Sequence, residues 1–145
     1  MSEIQRFRAA STVTVSAMAH DIWAVWVDVN AWSNWNDGVE HTEMRENFKA
    51  GTVFLLTPRG GKPVQTTITT ATQGEEFSDE TRFPFGVLQN RHRMTAIDDR
   101  VLLTHEVEAQ IDRAAARTFA TEVWPGLQNG VATTVANIAD IVSDE

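Results

Sequence analysis

The chain has 145 residues, no cysteine, and 20 acidic against 12 basic side chains. This length suits one domain over residues 1–145 with a core that needs no metal, and the lack of cysteine excludes disulfides and thiolate chemistry. The net charge of −8 repels nucleic-acid backbones, and no apolar run approaches the length needed to span a bilayer. We therefore expect a cytoplasmic protein that binds neither nucleic acid nor membrane and needs no cofactor.

The first third of the sequence predicts a strand followed by two short helices. Apolar residues alternate with polar ones through residues 4–15, which is typical of a half-buried strand. Helical spacing of apolar residues follows over residues 17–27. A second short helix carries Trp32 and Trp35 three residues apart, so that both rings lie on one side of it.

Six further strands are predicted by short β-branched runs that end at turn residues. They cover residues 39–46, 51–57, 63–72, 76–83, 87–97 and 100–110. The first of these is polar on both faces, as an edge strand can be, and it offers a surface for a homodimer.

The last part of the sequence changes to helical spacing and predicts a long amphipathic helix over residues 114–142. Pro125 lies inside it and either kinks the helix or starts a new one, because proline removes a backbone hydrogen bond. One long helix against a largely antiparallel sheet is an α+β arrangement.

Hairpin geometry predicts which side chains of the later strands point inward. If Asp98 and Asp99 form a two-residue loop, Met94 faces Leu103 and His92 faces His105. The opposite face then pairs arginines with glutamates and suits water, so both histidines point inward.

The same argument predicts a polar row inside the sheet. A two-residue loop at Gln73-Gly74 places Thr70 opposite Phe77 and Ile68 opposite Asp79. If Phe83 pairs with Leu88 in the next hairpin, Asp79 falls beside His92. The expected row across three adjacent strands is Asp79, His92 and His105.

Two stretches of sequence resemble a known family. The run VTVSAMAHDIWAVWVDVNAWSNWNDGV resembles the opening of the polyketide cyclase/dehydrase-like branch of the START-like (SRPBCC) superfamily. The runs VLLTHEVEA and GLQNGVATTVANI resemble that family's last strand and closing helix. Ser33 and Asn34 stand between the paired tryptophans, where a proline is common in the family.

This resemblance implies a helix-grip fold: a seven-stranded antiparallel sheet curved around a long C-terminal helix, with two short helices after the first strand and a cavity between sheet and helix. It also implies binding of lipids, polyketides or other apolar molecules, and in some members cyclase or aromatase activity. The family has no universal catalytic residue to carry over, because one fold supports many functions.

The main functional hypothesis is therefore a cavity that binds a small hydrophobic molecule, such as a lipid, a polyketide or an aromatic compound. The predicted ligand-binding residues are Phe54, Leu56, Ile68, Asp79, Phe83, His92, Met94, Leu103, His105 and Trp124.

Two alternatives stay open at this point. The first is a cyclase or aromatase in which His92 is the base and Asp79 orients it. The second is an interaction protein resembling the activator domains of a chaperone ATPase, which would have no continuous cavity. Asp79 and the two histidines are also ligand types that bind zinc or iron, but extended strands space such ligands loosely, so we expect no metal site. The sequence does not decide whether the protein is an enzyme.

Overall fold

The computed structural model describes residues 3–143, and these form one seven-stranded antiparallel sheet with helices on its inner side. The strands are β1 (Ile4–Val15), β2 (Val39–Glu43), β3 (Val53–Pro58), β4 (Val64–Thr72), β5 (Glu76–Phe83), β6 (Gly86–Ile97) and β7 (Arg100–Asp112). Their spatial order is β1-β7-β6-β5-β4-β3-β2. Consecutive strands are neighbours from β2 to β7, and β1 joins the far edge beside β7.

The helices follow the predicted order with one break. They are α1 (Ala19–Val27), a 3-10 helix (Val29–Asn34), α2 (Arg113–Glu122) and α3 (Trp124–Val142). Pro125 lies in the first turn of α3, where its missing N–H costs no helical hydrogen bond. The predicted C-terminal helix is therefore two helices that meet at Val123. Within residues 3–143, no helix combines the length and the apolar character needed to cross a membrane.

The β6–β7 hairpin has the predicted register. Asp98 and Asp99 form the turn, Met94 pairs with Leu103, and His92 pairs with His105. Asp98 has a φ of 57°, a conformation that aspartate tolerates better than most residues. Every second residue of β7 from Val101 to Ile111 is buried, as expected for a strand with one face in the core.

The β4–β5 hairpin differs from the prediction at its tip. Thr72 pairs with Glu76, so the loop has three residues, and Thr70 pairs with Ser78 instead of Phe77. A β-bulge between Ile68 and Thr70 absorbs the extra residue. Beyond this bulge the predicted pair of Ile68 with Asp79 is confirmed.

The β5–β6 hairpin corrects the predicted polar row. Its loop is Pro84-Phe85, and Phe83 pairs with Gly86 instead of Leu88. Asp79 therefore lies beside Asn90, and Phe77 takes the expected place of Asp79 beside His92. A Cβ at Gly86 would clash with the backbone of Gln110 on β7. The first position of β6 therefore requires glycine.

The main core lies between the sheet, α1, the 3-10 helix and α3. Three of the tryptophans, Trp26, Trp32 and Trp35, are at most 2% exposed and pack against the sheet and the later part of α3. Asn30 attaches the 3-10 helix to the end of β2, because its side chain accepts a hydrogen bond from the Met44 N–H at 2.8 Å. The 3-10 helix is thereby fixed against the concave side of the sheet.

Candidate functional site

A cavity of about 170 Å³ lies between the concave face of the sheet and the N-terminal half of α3. Its apolar wall comes from the 3-10 helix and strands β2 to β7, through Trp32, Trp35, Val39, Leu56, Pro58, Val64, Phe83, Leu88 and Val107. Its polar wall comes from the centre of the sheet, through Asp79, Thr81, Asn90, His92 and His105. The cavity thus has a mostly apolar lining with a few polar groups on one side, as small-molecule sites commonly do.

The helical side of the cavity is formed mainly by residues without large side chains. Gly126 and Gly130 lie four residues apart on α3, and Leu127 and Thr134 are beside them. A Cβ placed on Gly126 or Gly130 would meet no atom within 4 Å. Both glycines line the cavity, so α3 contributes no side chain at these two positions.

The three titratable side chains of the cavity are all nearly buried. Asp79 is 4% exposed, His92 is 3% exposed and His105 is 5% exposed. Burial raises the pKa of Asp79 to about 7, and a hydrogen bond from Asn90 opposes this increase only in part. Burial lowers the pKa of His105 to about 4. Burial and the neighbouring His105 lower the pKa of His92 well below its usual value.

A stack of three rings runs across the centre of the sheet. Phe77 on β5 lies 4.5 Å from His92 on β6, with an interplanar angle of 8°. His92 lies 4.1 Å from His105 on β7, with an angle of 15°. Trp26 and Trp35 meet the His92 ring edge-on at 6.0 Å and 5.8 Å. Such enclosure excludes water from the imidazole, which explains why its charged form is disfavoured.

A hydrogen-bonded chain joins Asp79, Asn90 and His105. The Asn90 amide Nδ2 donates to Asp79 Oδ1 at 3.4 Å, and Asn90 Oδ1 lies 2.8 Å from His105 Nε2. Because an amide oxygen only accepts, His105 Nε2 must carry the proton. His105 Nδ1 is then an unprotonated acceptor, and it has no hydrogen-bond partner within residues 3–143.

This chain predicts one tautomer for His105. We expect a neutral imidazole with the proton on Nε2 from about pH 5.5 to about pH 8, because its pKa lies near 4 and Asn90 accepts from Nε2. Long-range proton–nitrogen NMR correlations of the ring distinguish this form from the others. His20, with a side chain that is 75% exposed, is the reference within the same sample. An imidazolium or an Nδ1–H form of His105 at neutral pH would contradict the expectation.

The structure distributes the predicted ligand-binding residues over three places. Leu56, Asp79, Phe83, His92 and His105 line the cavity. Phe54, Ile68, Met94 and Leu103 point inward as predicted, but they belong to the packed core beside the cavity. Trp124 lies apart from both, against Phe7 and Phe119 in a smaller apolar cluster near the start of α3. Contact with a ligand stays a prediction for all ten residues.

Two groups of cavity residues were missed from the sequence. Asn90 shares the inward phase of β6 with His92, and an amide in that phase is a signal for a buried hydrogen-bonded chain. Gly126 and Gly130 lie four residues apart and therefore share one face of α3. Two glycines on one face of a helix indicate that this face lacks side chains there. Trp32 and Trp35, which the sequence placed on one side of a short helix, both line the cavity as well.

A metal site made of Asp79, His92 and His105 needs the three side chains in one row. Asp79 hydrogen-bonds with Asn90 instead, and Phe77 occupies the position beside His92. Within the part of the chain that the structure describes, no group of three or more histidine, aspartate or glutamate side chains is arranged to hold a metal ion.

A larger depression of about 380 Å³ lies at the other end of the molecule, between the start of α1 and the β4–β5 and β6–β7 turns. Its polar residues, including Asp98, Asp99 and Arg100, are exposed. A hydrogen bond to a polar group that water already solvates contributes less to ligand binding than a hydrogen bond to a buried group. The cavity beneath α3 is therefore the stronger candidate site.

No protein-family model matches the sequence, and no curated protein matches it. Solved structures do. Norcoclaurine synthase from Thalictrum flavum matches with a TM-score of 0.76 and 12% identity, over 100% of this chain and 98% of that chain. The Zhui aromatase/cyclase from Streptomyces sp. R1128 matches with a TM-score of 0.74 and 17% identity, over 95% and 94% of the two chains. This chain has the helix-grip fold.

A third match covers part of a larger protein. The di-domain aromatase/cyclase StfQ of the steffimycin biosynthetic pathway matches with a TM-score of 0.77 and 10% identity, over 94% of this chain and 50% of that chain. At such identities the likeness establishes the helix-grip fold and leaves the ligand open. The α+β fold predicted from the sequence is confirmed, and so is the fold-level resemblance to START-like and polyketide cyclase-type proteins.

Proposed function

We propose that this helix-grip protein binds one small hydrophobic molecule, of about the size of a single aromatic ring with a short substituent, in the cavity beneath α3. The observation that carries the proposal is the cavity itself, which has apolar walls and three nearly buried titratable groups on one side. Similar folds in a synthase and in aromatase/cyclases support small-molecule binding as the use of this cavity.

The volume favours a small ligand over a multi-ring one. An apolar cavity of roughly 150 Å³ in another protein accommodates benzene. The cavity here is of similar size, at about 170 Å³. A single-ring compound therefore fits without rearrangement, whereas a lipid chain or a multi-ring polyketide requires α3 to move away from the sheet.

The cyclase hypothesis with His92 as base loses its main support. Asp79 does not hydrogen-bond with His92, and the lowered pKa of His92 makes this imidazole a weak proton acceptor. The hypothesis of an interaction protein with a closed core is disfavoured by the cavity. Two other expectations from the sequence, a cytoplasmic location and a homodimer, stay predictions.

A blocking substitution tests the proposal. Freshly purified protein is first examined by native mass spectrometry for a retained molecule, and then titrated calorimetrically with benzyl alcohol as a single-ring probe. We expect Gly130→Phe to reduce the affinity at least roughly tenfold, because it puts a large ring in place of a glycine that lines the cavity.

Gly130→Ala is the matched control. It adds one methyl group at the same position and is expected to keep the affinity within about threefold, while stabilising α3 by roughly 0.5–1 kcal/mol. Equal binding by the wild type and by Gly130→Phe, with both proteins folded by circular dichroism, would show that the probe binds elsewhere and would contradict the proposal.

A further inference from the structure

The Asp79 carboxyl is a nearly buried acid without a cationic partner. It is 4% exposed, and its one side-chain hydrogen bond is the 3.4 Å contact with the neutral amide of Asn90. None of the ion pairs within residues 3–143 includes it. Buried charges in proteins are normally paired, because an isolated carboxylate loses its hydration. The ionised form of Asp79 therefore needs a positive charge that these residues do not supply.

The rest of the cavity wall offers no positive charge either. Its described residues include no lysine and no arginine. His92 and His105 on β6 and β7 are neutral at physiological pH, and β3, β4 and α3 contribute no titratable group. The N-terminus of α3 directly follows the C-terminus of α2, so opposite ends of two helix dipoles meet there. An anionic ligand would consequently meet Asp79 without a compensating cation.

The other walls suit a cation attached to an aromatic ring. Trp32, Trp35 and Phe83 all line the cavity. Aromatic faces attract ammonium groups through the ring quadrupole, and this attraction is strongest where water is excluded. A carboxylate beside aromatic rings is therefore a suitable environment for a protonated amine.

We propose that the ligand of this cavity carries a protonated amine that pairs with Asp79, with its apolar part against Trp35 and Phe83. This inference rests on the proposed binding function and names the class of ligand. A phenol or an alcohol of the same size would fill the same volume, but it would leave the ionised form of Asp79 without a counter-charge.

Three probes of matched size test the charge preference: benzylamine, benzyl alcohol and benzoate. In calorimetric titrations at about pH 8, we expect benzylamine to bind at least roughly tenfold more tightly than benzyl alcohol, because hydrogen bonds to charged groups are the stronger ones. Benzoate should bind more weakly than either. The affinity for benzylamine should fall about tenfold from pH 8 to pH 6, since a proton then competes for Asp79.

Asp79→Asn keeps the shape of the side chain and removes its charge. This variant should bind benzylamine and benzyl alcohol within about threefold of each other. Asp99→Asn, at the exposed β6–β7 turn, is the control and should keep the preference of the wild type.

The outcomes separate the two proposals. If benzyl alcohol binds the wild type as tightly as benzylamine, the amine preference is excluded while a hydrophobic site stands. If benzylamine is still preferred by Asp79→Asn, the pairing of the amine with Asp79 is excluded. If none of the three probes binds the folded wild type, both the amine and the single-ring site are excluded.

Discussion

Replacing Phe77 with alanine is expected to lower the free energy of unfolding by about 3–5 kcal/mol, the usual cost of removing a buried phenylalanine ring. Phe77 is fully buried and stacks on His92 at 4.5 Å. It also meets Trp26 at 5.1 Å and Phe48 at 5.3 Å. The substitution would leave a void between β5, α1 and the ring stack that these rigid neighbours cannot fill.

Phe85→Ala is the control for this change, because it removes the same ring from the exposed β5–β6 turn. Phe85 is 37% exposed, and within residues 3–143 its one aromatic partner is Phe83, so we expect a loss below about 1.5 kcal/mol. Urea unfolding followed by circular dichroism measures both losses. Similar losses in the free energy of unfolding for the two variants would mean that the Phe77 ring contributes no more to the core than the exposed Phe85 ring does.

The second large effect is that replacing Asp79 with asparagine stabilises the folded protein by an amount that depends on pH. Burial raises the folded-state pKa of Asp79 to about 7, above the ordinary aspartate value of 3.8. Between these values the folded protein binds more protons than the unfolded chain, so the contribution of Asp79 is most favourable below about pH 4 and is lost as the pH rises to about 7. An asparagine at this position does not ionise, so it does not lower the free energy of unfolding as the pH rises.

We therefore expect Asp79→Asn to be increasingly stable relative to the wild type as the pH rises. The difference in the free energy of unfolding should grow by about 3 kcal/mol between about pH 4.5 and about pH 8. His92 and His105 titrate in both proteins, so their opposite pH dependence cancels in the comparison.

Urea unfolding at the two pH values provides the measurement, and Asp99→Asn provides the control. The exposed Asp99 carboxylate is solvated in both states, so its difference from the wild type should stay constant within about 0.5 kcal/mol. An Asp79→Asn variant that is equally destabilised at both pH values would indicate an ionised and well-paired Asp79 in the folded protein.

The inward faces of the strands could be predicted from the sequence because side chains alternate with a period of two. His92, Met94, Leu103 and His105 all lie on the predicted side of the sheet. The two-residue turn at Asp98-Asp99 also gave the right pairs, since this loop length leaves one register for the strands that it joins.

The neighbours across β5 and β6 could not be predicted in the same way. A shift of two residues moves Asp79 from His92 to Asn90 and leaves every side chain on the same face. The alternation of polar and apolar residues is identical in the two registers. The observed register brings Gly86 so close to the backbone of Gln110 that no side chain fits there, and this contact exists only in the folded sheet.

The position of Trp124 was unpredictable for a related reason. The sequence predicted that Trp124 contacts a ligand, but the direction of its ring depends on how α2 and α3 meet at Val123. In the folded chain α2 packs near the β1–β7 edge, and the ring is held there by Phe7 and Phe119. Helical spacing alone does not give this angle between the helices.

The glycines of α3 also bear on how such a protein can change its specificity. If the cavity binds a ligand as proposed, Gly126 and Gly130 on α3 limit the size of that ligand, whereas Asp79, Asn90 and His105 on the sheet determine which functional groups it can carry. Capacity and selectivity are therefore encoded in separate stretches of the chain. Substitutions at one or two positions of α3 would then change the size of the ligand that the cavity accepts, while its preference for functional groups stays the same.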